Sequence, residues 1–580
     1  MSASLKNKRR RSVASLAAVC CTLAATAALH GQTAESQPAP LPGIPTAPTA
    51  NVTINLIRLM VEQKLLPAEA AAKLIAQAEA EAAQASAALA AAAAPKPAPA
   101  ASELAASAPT GAPGTVRVTY IPPHVRRQMV EEVRAEVMSQ AVNERWADPQ
   151  ALPEWATRWK FNGDMRLRYE AQSFPAGNAV NSNQNFNAIN NGNGQLVLGT
   201  PTVPFYNVDQ PRERARIRAR LGAEVNLEEG FSSGVRIATG DSNSPVSQNQ
   251  SLGGGTGNFS KYNLWLDRGY LRYETQVEQA QLKATGGRFN NPFFATSMIW
   301  SNDLAFDGMV LEAQRPVGES FRPFFTTGLF PVFNTDLNFA TNKTSKFKST
   351  DKWLYALQTG TNWKINKDFE AKLGVAYYHF QDVEGQFSSP TTGTTDDPGN
   401  TDGTRPLFAQ KGNTYTPIRN IPSPTASSTQ YFGLATPFRE VALTGRLDYN
   451  HYDPIQISLI GEVVQNVGYK IDDASVVNNQ NTSGDLGFFT AVQVGHATLE
   501  KRGDWNVNLG YRYVQTDAVV DGFADSDFGG GGTNVKGFTL GGNLALSSRV
   551  WFGARLMSAD QVSGPTYKND TVQFDINARF

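Results

Sequence analysis

The sequence predicts an all-β transmembrane fold: an antiparallel outer-membrane β-barrel of about sixteen strands, preceded by short α-helices. Three observations lead there. From residue 160 to the last residue, apolar and polar side chains alternate at period two. The connections between alternating segments are long and short by turns. The chain opens on a basic stretch followed by an apolar one, an export signature.

The address comes first. Lys6, Lys8, Arg9, Arg10 and Arg11 precede an Ala- and Leu-rich run over 13–29, with small residues after it. This reads as a removed signal peptide over 1–31. Cys20 and Cys21 are the only cysteines and both lie in that run. Val19 before Cys20 is too large for a lipoprotein site, so the mature chain is expected to lack disulfide and thiolate chemistry. The 580-residue chain has a formal net charge of +0, which argues against a dedicated nucleic-acid binder. With 41% hydrophobic and 18% charged residues, most of it is expected to fold.

Residues 32–50 are rich in Pro, Ala and Thr and read as a linker. Over 51–94 the period becomes helical: Thr53 can cap, Ile54, Ile57, Val61 and Leu65 share a stripe, and Pro67 suits the first turn of a second helix. The segment reads as a helical hairpin, and 95–115 as an Ala/Pro linker. Residues 116–158 read as a further helical segment. Val125, Met129, Val130, Val133, Val137 and Ala141 form one apolar face, opposite Arg126, Arg127, Glu131, Glu132, Arg134 and Glu136. The face fits either a helix packed on a barrel rim or a short trimeric coiled coil. All these helices are expected in the periplasm.

The barrel is expected over 159–580. In the first strand Phe161, Met165, Leu167 and Tyr169 alternate with Asn162, Asp164, Arg166, Arg168 and Glu170. In the second, Ala215, Ile217, Ala219, Leu221, Ala223 and Val225 alternate with Arg214, Arg216, Arg218, Arg220, Glu224 and Asn226, a pattern no amphipathic helix produces. Further strands are expected near 232–240, 264–276, 280–289, 305–315, 321–330, 352–364, 369–380, 439–452, 455–467, 488–499, 504–516, 536–546, 549–558 and 570–580. Those near 305 and 488 alternate least cleanly. The closing segment V-Q-F-D-I-N-A-R-F sets Val572, Phe574, Ile576, Ala578 and Phe580 on one face and Gln573, Asp575, Asn577 and Arg579 on the other.

Turns around Glu228, Val317, Asn366, Asp453 and Ser547 are short. Asn-, Gly- and Ser-rich connections at roughly 172–211, 242–262, 290–304, 332–350, 383–438, 469–486, 518–535 and 559–569 are long. Short turns on one side and long loops on the other are a membrane-barrel arrangement. Closure is required because lipid offers no partner to a free strand edge.

The segments T-I-N-L-I-R-L-M-V-E-Q at 53–63, V-R-V-T-Y-I-P at 116–122 and E-R-W-A-D-P-Q-A-L-P-E-W at 144–155, with the strand G-D-M-R-L-R-Y-E at 163–170, resemble a family of putative porins. The resemblance covers almost the whole mature chain, tightest in the prefix and first strand. It implies an outer-membrane porin more than any substrate; the leading reading is a passive diffusion channel for small hydrophilic solutes and ions, with no enzyme activity expected. By analogy with general porins it also implies a homotrimer. The terminal aromatic Phe580 resembles the assembly signal of outer-membrane barrels, read by the barrel assembly machinery.

Arg166, Arg168, Arg214, Arg216, Arg218, Arg220, Arg236, Arg268 and Arg272 are expected to make one lumen wall basic, because a charge on the lipid face near the midplane costs roughly 2–4 kcal/mol. They either guide solutes or only brace the wall through salt bridges. The third long loop, N-N-P-F-F-A-T-S-M-I-W-S-N-D-L, is apolar for an exposed loop; Phe293, Phe294, Met298, Ile299 and Trp300 favour burial. It either folds into the barrel, so that Asp303 and Asp307 face the arginine wall, or forms an outer cap or subunit contact. Gly253-Gly254-Gly255-Thr256-Gly257 lacks the Lys of a P-loop and reads as a loop tip. Asp521, Asp525 and Asp527 lack EF-hand spacing and read as solvated loop acids.

No metal or cofactor is expected. His124, His379, His451 and His496 have neither ligand spacing nor a neighbouring Ser nucleophile, which disfavours a barrel enzyme. The other alternative is a structural barrel whose periplasmic helices contact the cell wall. Outer-membrane lipid is expected to surround the barrel in every reading.

Overall fold

A computed structural model describes residue 131 and residues 154–198, 203–242, 244–255, 257–471 and 484–580. The expected signal peptide, both linkers, the helical hairpin and most of the 116–158 helix lie outside the described residues. The four-residue helix α1 (Glu154–Thr157) leads directly into the first strand.

Sixteen long antiparallel strands follow: β1 (Trp159–Ser173), β2 (Arg212–Glu228), β3 (Phe231–Ala238), β4 (Trp265–Val277), β5 (Ala280–Asn290), β6 (Ala305–Gln314), β7 (Phe321–Phe333), β8 (Lys352–Lys364), β9 (Phe369–Gln381), β10 (Arg439–Tyr452), β11 (Ile455–Asn466), β12 (Leu486–His496), β13 (Trp505–Val514), β14 (Val535–Ala545), β15 (Val550–Gln561) and β16 (Lys568–Arg579). Each pairs with its neighbours in sequence, and β1 pairs with β16 in the register Leu167↔Ile576, which closes the barrel. The two-residue piece Gln250–Ser251 adds to β2 from a loop. Closure leaves no strand edge unpaired, as a bilayer demands. The segments near 305 and 488, least regular in sequence, are both strands.

Alternation places the apolar set outside. Met165 and Leu167 are 40% and 42% exposed, whereas Arg168 between them and Tyr169 is 2% exposed. Aromatics stack in pairs on the outer face near the short-turn end: Phe321 with Trp363 at 5.3 Å, and Phe369 with Tyr449 at 4.6 Å. Such rings suit the level of lipid headgroups. The last long connection contracts to 562–567, because β15 and β16 extend further than their sequence alternation indicates.

The main apolar core is not between strands and lipid but inside the barrel. Inward residues of β7 to β11, including Phe330, Leu354, Tyr378, Phe380, Ala442 and Val464, are buried against Phe293, Met298, Ile299 and Trp300 of the third long loop. Three other loops share this core: the first through Phe186 and Ile189 on helix α2 (Phe186–Asn191), the fifth through Tyr415 and Phe432, and the seventh through Val519 and Ala524.

Candidate functional site

The lumen has two unlike walls. The first is formed by β1 to β4 and β16, whose inward positions carry the arginine row. Arg166 faces Arg218 and Arg168 faces Arg216 across the β1–β2 ladder. Like charges directly opposite are unfavourable, and the structure answers with carboxylates. Arg168, with a fully buried side chain, bridges Asp575 at 2.7 Å and Asp527 at 2.8 Å. Arg214 binds Glu170 at 2.5 Å, and Arg216 lies 3.6 Å from Glu170 and 3.5 Å from Asp241. Arg218 bridges Asp164 at 3.0 Å and Asp303 at 3.1 Å. Arg220 binds Asp164 at 2.5 Å and stands 3.7 Å from Asp303. Arg236 and Arg268 share Asp267. Arg272 lies between Glu224 and Glu274, 3.8 Å from each, over the Tyr270 ring at 4.7 Å. Arg166 differs: its partner is the Asn249 amide oxygen at 2.5 Å, and its Nε has no hydrogen-bond acceptor among the described residues.

The second wall is the apolar one of β7 to β11, and residues 291–304 dock on it. Gln358 of β8 brackets the Phe294 backbone: Phe294 N donates to its Oε1 at 2.8 Å and its Nε2 donates to Phe294 O at 2.8 Å. Glu462 of β11 accepts from Thr296 N at 3.0 Å, from Thr296 Oγ1, and from Thr444 Oγ1 at 2.8 Å. Arg512 of β13 donates to Ser297 Oγ at 2.8 Å. Ser301 N donates to Phe523 O of the seventh loop at 2.8 Å, and Ser301 Oγ to Val246 O of the second loop at 3.1 Å. Trp300, 3% exposed, meets Phe306 at 5.0 Å and Tyr378 at 5.1 Å edge to face. The loop thus crosses the lumen from β5 to the inner faces of β8, β11 and β13. It returns so that Asp303 meets Arg218 and Arg220 on the far wall.

Two sequence expectations are corrected. Asp307 does not face the arginine wall. It shares the outer face of Met309 and Leu311 and pairs with Arg288 at 2.6 Å across the β5–β6 ladder. The physical reason is register: β6 begins at Ala305, so even-numbered Phe306 and Val310 point inward and 307 points out. Asp521, Asp525 and Asp527 are not solvated. Asp521 is 1% exposed, Asp525 stands 3.3 Å from Arg512, and Asp527 neutralises Arg168. Among the described residues no group of three His, Cys, Asp or Glu has a metal-binding arrangement.

Asp267, Asp241 and Asn249 were not singled out by the pattern. Asp267 sits at a register shift between β3 and β4, which turns an odd-numbered residue toward the arginines. Phe580 ends the chain beside β1, with its amide donating to Gly163 O at 3.0 Å. Arg579 is not part of the arginine row; it donates to Leu499 O at 2.7 Å and Ser548 O at 3.0 Å, tying two short turns together.

The fifth and seventh loops interlock through buried polar groups. Asp517 accepts from Thr414 N at 2.9 Å and Thr414 Oγ1 at 2.7 Å; Tyr415 OH donates to Asp521 at 3.0 Å. Burial pushes the Asp517 carboxyl up to about 6 and the Asp521 carboxyl up to about 7. Burial also pushes the nearby Lys411 ammonium down to about 8. A carboxyl raised on folding stabilises the packed loops below its unfolded value, and that contribution is lost as pH rises through the folded value. Lys411 has the opposite sign, but its contribution is already lost below 8, so the acids govern the window from 5 to 7. Loop 382–438 is therefore expected to be cut faster by protease at pH 8 than at pH 5, on the order of tenfold. Asp521→Asn is expected to flatten that dependence, and equal cutting rates at both pH values in the native protein would contradict it.

A model of the family described as "Putative porin" matches residues 50–580. No curated protein sequence matches the chain. Among solved structures, OprB of Pseudomonas putida is 11% identical with a TM-score of 0.39, covering 73% of this chain and 95% of that one. The outer membrane channel DcaP of Acinetobacter baumannii is 13% identical with a TM-score of 0.34, covering 73% and 98%. OmpT of Vibrio cholerae, as a loop-deletion mutant, is 10% identical with a TM-score of 0.35, covering 73% and 100%.

Proposed function

The chain belongs to the putative porin family, and on that premise we propose that this outer-membrane β-barrel channel passes small hydrophilic solutes and ions by passive diffusion, filtered where residues 291–304 narrow the lumen beside the arginine wall. The observation that carries the reading is the pair of contacts from Asp303 to Arg218 and Arg220, at 3.1 and 3.7 Å. The contacts pin the inserted loop to the arginine wall, so the passage is narrowed and lined by the charged groups of that junction. Because most of the arginines already have carboxylate partners, the selectivity of the native channel is expected to be modest. The long loops then face outward and the short turns face the periplasm.

The test is conductance of the refolded protein in a planar bilayer with asymmetric KCl. Absence of conductance would overturn the proposal. Asp303→Ala frees Arg218 and Arg220 from one acid and is expected to raise the chloride-to-potassium permeability ratio about twofold, while Arg218→Ala lowers it by a similar factor. Unchanged reversal potentials in both variants would leave the arginines as braces of the wall only.

A further inference from the structure

We infer that the cavity on the short-turn side of residues 291–304 is a binding subsite for small organic anions, centred on the Lys372 ammonium between the Phe294 and Phe324 rings. The inference rests on the channel reading above and goes beyond it by naming a solute class and the residues that hold it.

The cavity has a volume of about 600 Å³, enough for a small carboxylate and its water. Lys372 projects into it from β9. Its Nζ lies 4.5 Å from the Phe294 ring centre and 5.2 Å from that of Phe324. An ammonium over two aromatic faces is held in place by the ring quadrupoles without being neutralised. The other charges lining the cavity are paired. Lys283 binds Glu312 at 2.7 Å, and Glu274 has Arg272 at 3.8 Å. Among the described residues no carboxylate lies within 4.0 Å of Lys372, so its charge is the uncompensated one in the cavity.

The rings are also fixed. Gln358 binds both the N–H and the C=O of Phe294, and Phe324 lies on the inner face of β7. Asn362, directly across the β8–β9 ladder from Lys372, adds an amide to the lining. A carboxylate entering the cavity replaces water on the free side of the ammonium. Its apolar body then covers the flanks of the two rings, a contact that chloride cannot make. Preference for an organic anion over chloride follows from that second contact, not from charge alone.

The experiment compares benzoate, chloride and benzylammonium permeabilities by reversal potential in the native channel, in Lys372→Gln and in Phe324→Leu. Lys372→Gln is expected to lower the benzoate-to-chloride ratio about threefold and Phe324→Leu about twofold, with benzylammonium unaffected by the ring change. The subsite is overturned if both variants conduct KCl normally and keep the native benzoate-to-chloride ratio. It is also overturned if Lys372→Gln reduces benzoate and chloride equally while Phe324→Leu changes nothing, since that is a field without a site. A native protein that conducts no ion at all would instead overturn the channel reading, and this inference with it.

Discussion

Trp300→Ala is expected to unpin residues 291–304 and raise single-channel conductance two- to threefold, an effect of roughly the size expected when a constriction is widened. The indole is the point at which three elements converge on the loop. It packs edge to face on Tyr378 of β9 and Phe306 of β6, and lies 5.9 Å from Phe523 of the seventh loop. Truncating a buried aromatic costs about 3–5 kcal/mol, which falls on the packing of the loop's central turn. The strand ladders are held by backbone hydrogen bonds that this substitution leaves in place, so the barrel itself is expected to remain closed and resistant to detergent. Glu462→Ala removes a different anchor, the carboxylate that receives Thr296, and is expected to act in the same direction. A conductance unchanged in both variants would mean that the loop does not limit the pore.

The strands were legible because a membrane barrel imposes one rule on every residue: lipid outside, polar or packed interior inside. Arg216, Arg218 and Arg220 could be placed on the inner face from parity alone. The same rule failed where parity was interrupted. Asp307 was misplaced although the boundary at 305 was read correctly, because this segment alternates least cleanly and its inward parity was not legible. Asp267 escaped notice because a register shift reverses its side. The apolar character of Phe293, Met298, Ile299 and Trp300 signalled burial. The matching surface on β7 to β11 was visible only as apolar residues at inward positions, such as Phe330, Ala376 and Phe380. Partners for the arginines were hardest to read. Asp527 and Asp575 reach Arg168 from sites 359 and 407 residues away, and no sequence spacing encodes a contact made by closing a barrel. Asp527 in particular looked like a solvated acid in a Gly-rich loop. The cost of leaving the fully buried Arg168 unpaired is what draws it inward.

Phe580 is expected to decide whether this closure forms at all. Its backbone completes the β16–β1 ladder: Gly163 N donates to Phe580 O at 2.8 Å and Phe580 N donates to Gly163 O at 3.0 Å. Its ring is 62% exposed on the outer face and lies across Gly163, where a Cβ would meet it. Two separable roles follow. Removing Phe580 deletes both seam hydrogen bonds and the ring, whereas Phe580→Ala keeps the backbone pair and deletes the ring. Gly163→Val keeps every residue of the terminus but drives the ring off its seat. If the exposed ring is the feature recognised during insertion, Phe580→Ala lowers the amount of barrel in the outer membrane severalfold, nearly as much as the deletion, and Gly163→Val leaves it close to native. If the seam itself is limiting, only the deletion falls, and Phe580→Ala and Gly163→Val are mild, because both keep the backbone pair that closes the β1 edge against lipid. The first pattern is expected, since the loss of two terminal hydrogen bonds is small beside the rest of a ladder that runs from Asp164↔Arg579 to Ser173↔Asp570. Native levels of assembled barrel in both Phe580 variants would remove the terminal aromatic from the assembly of this protein.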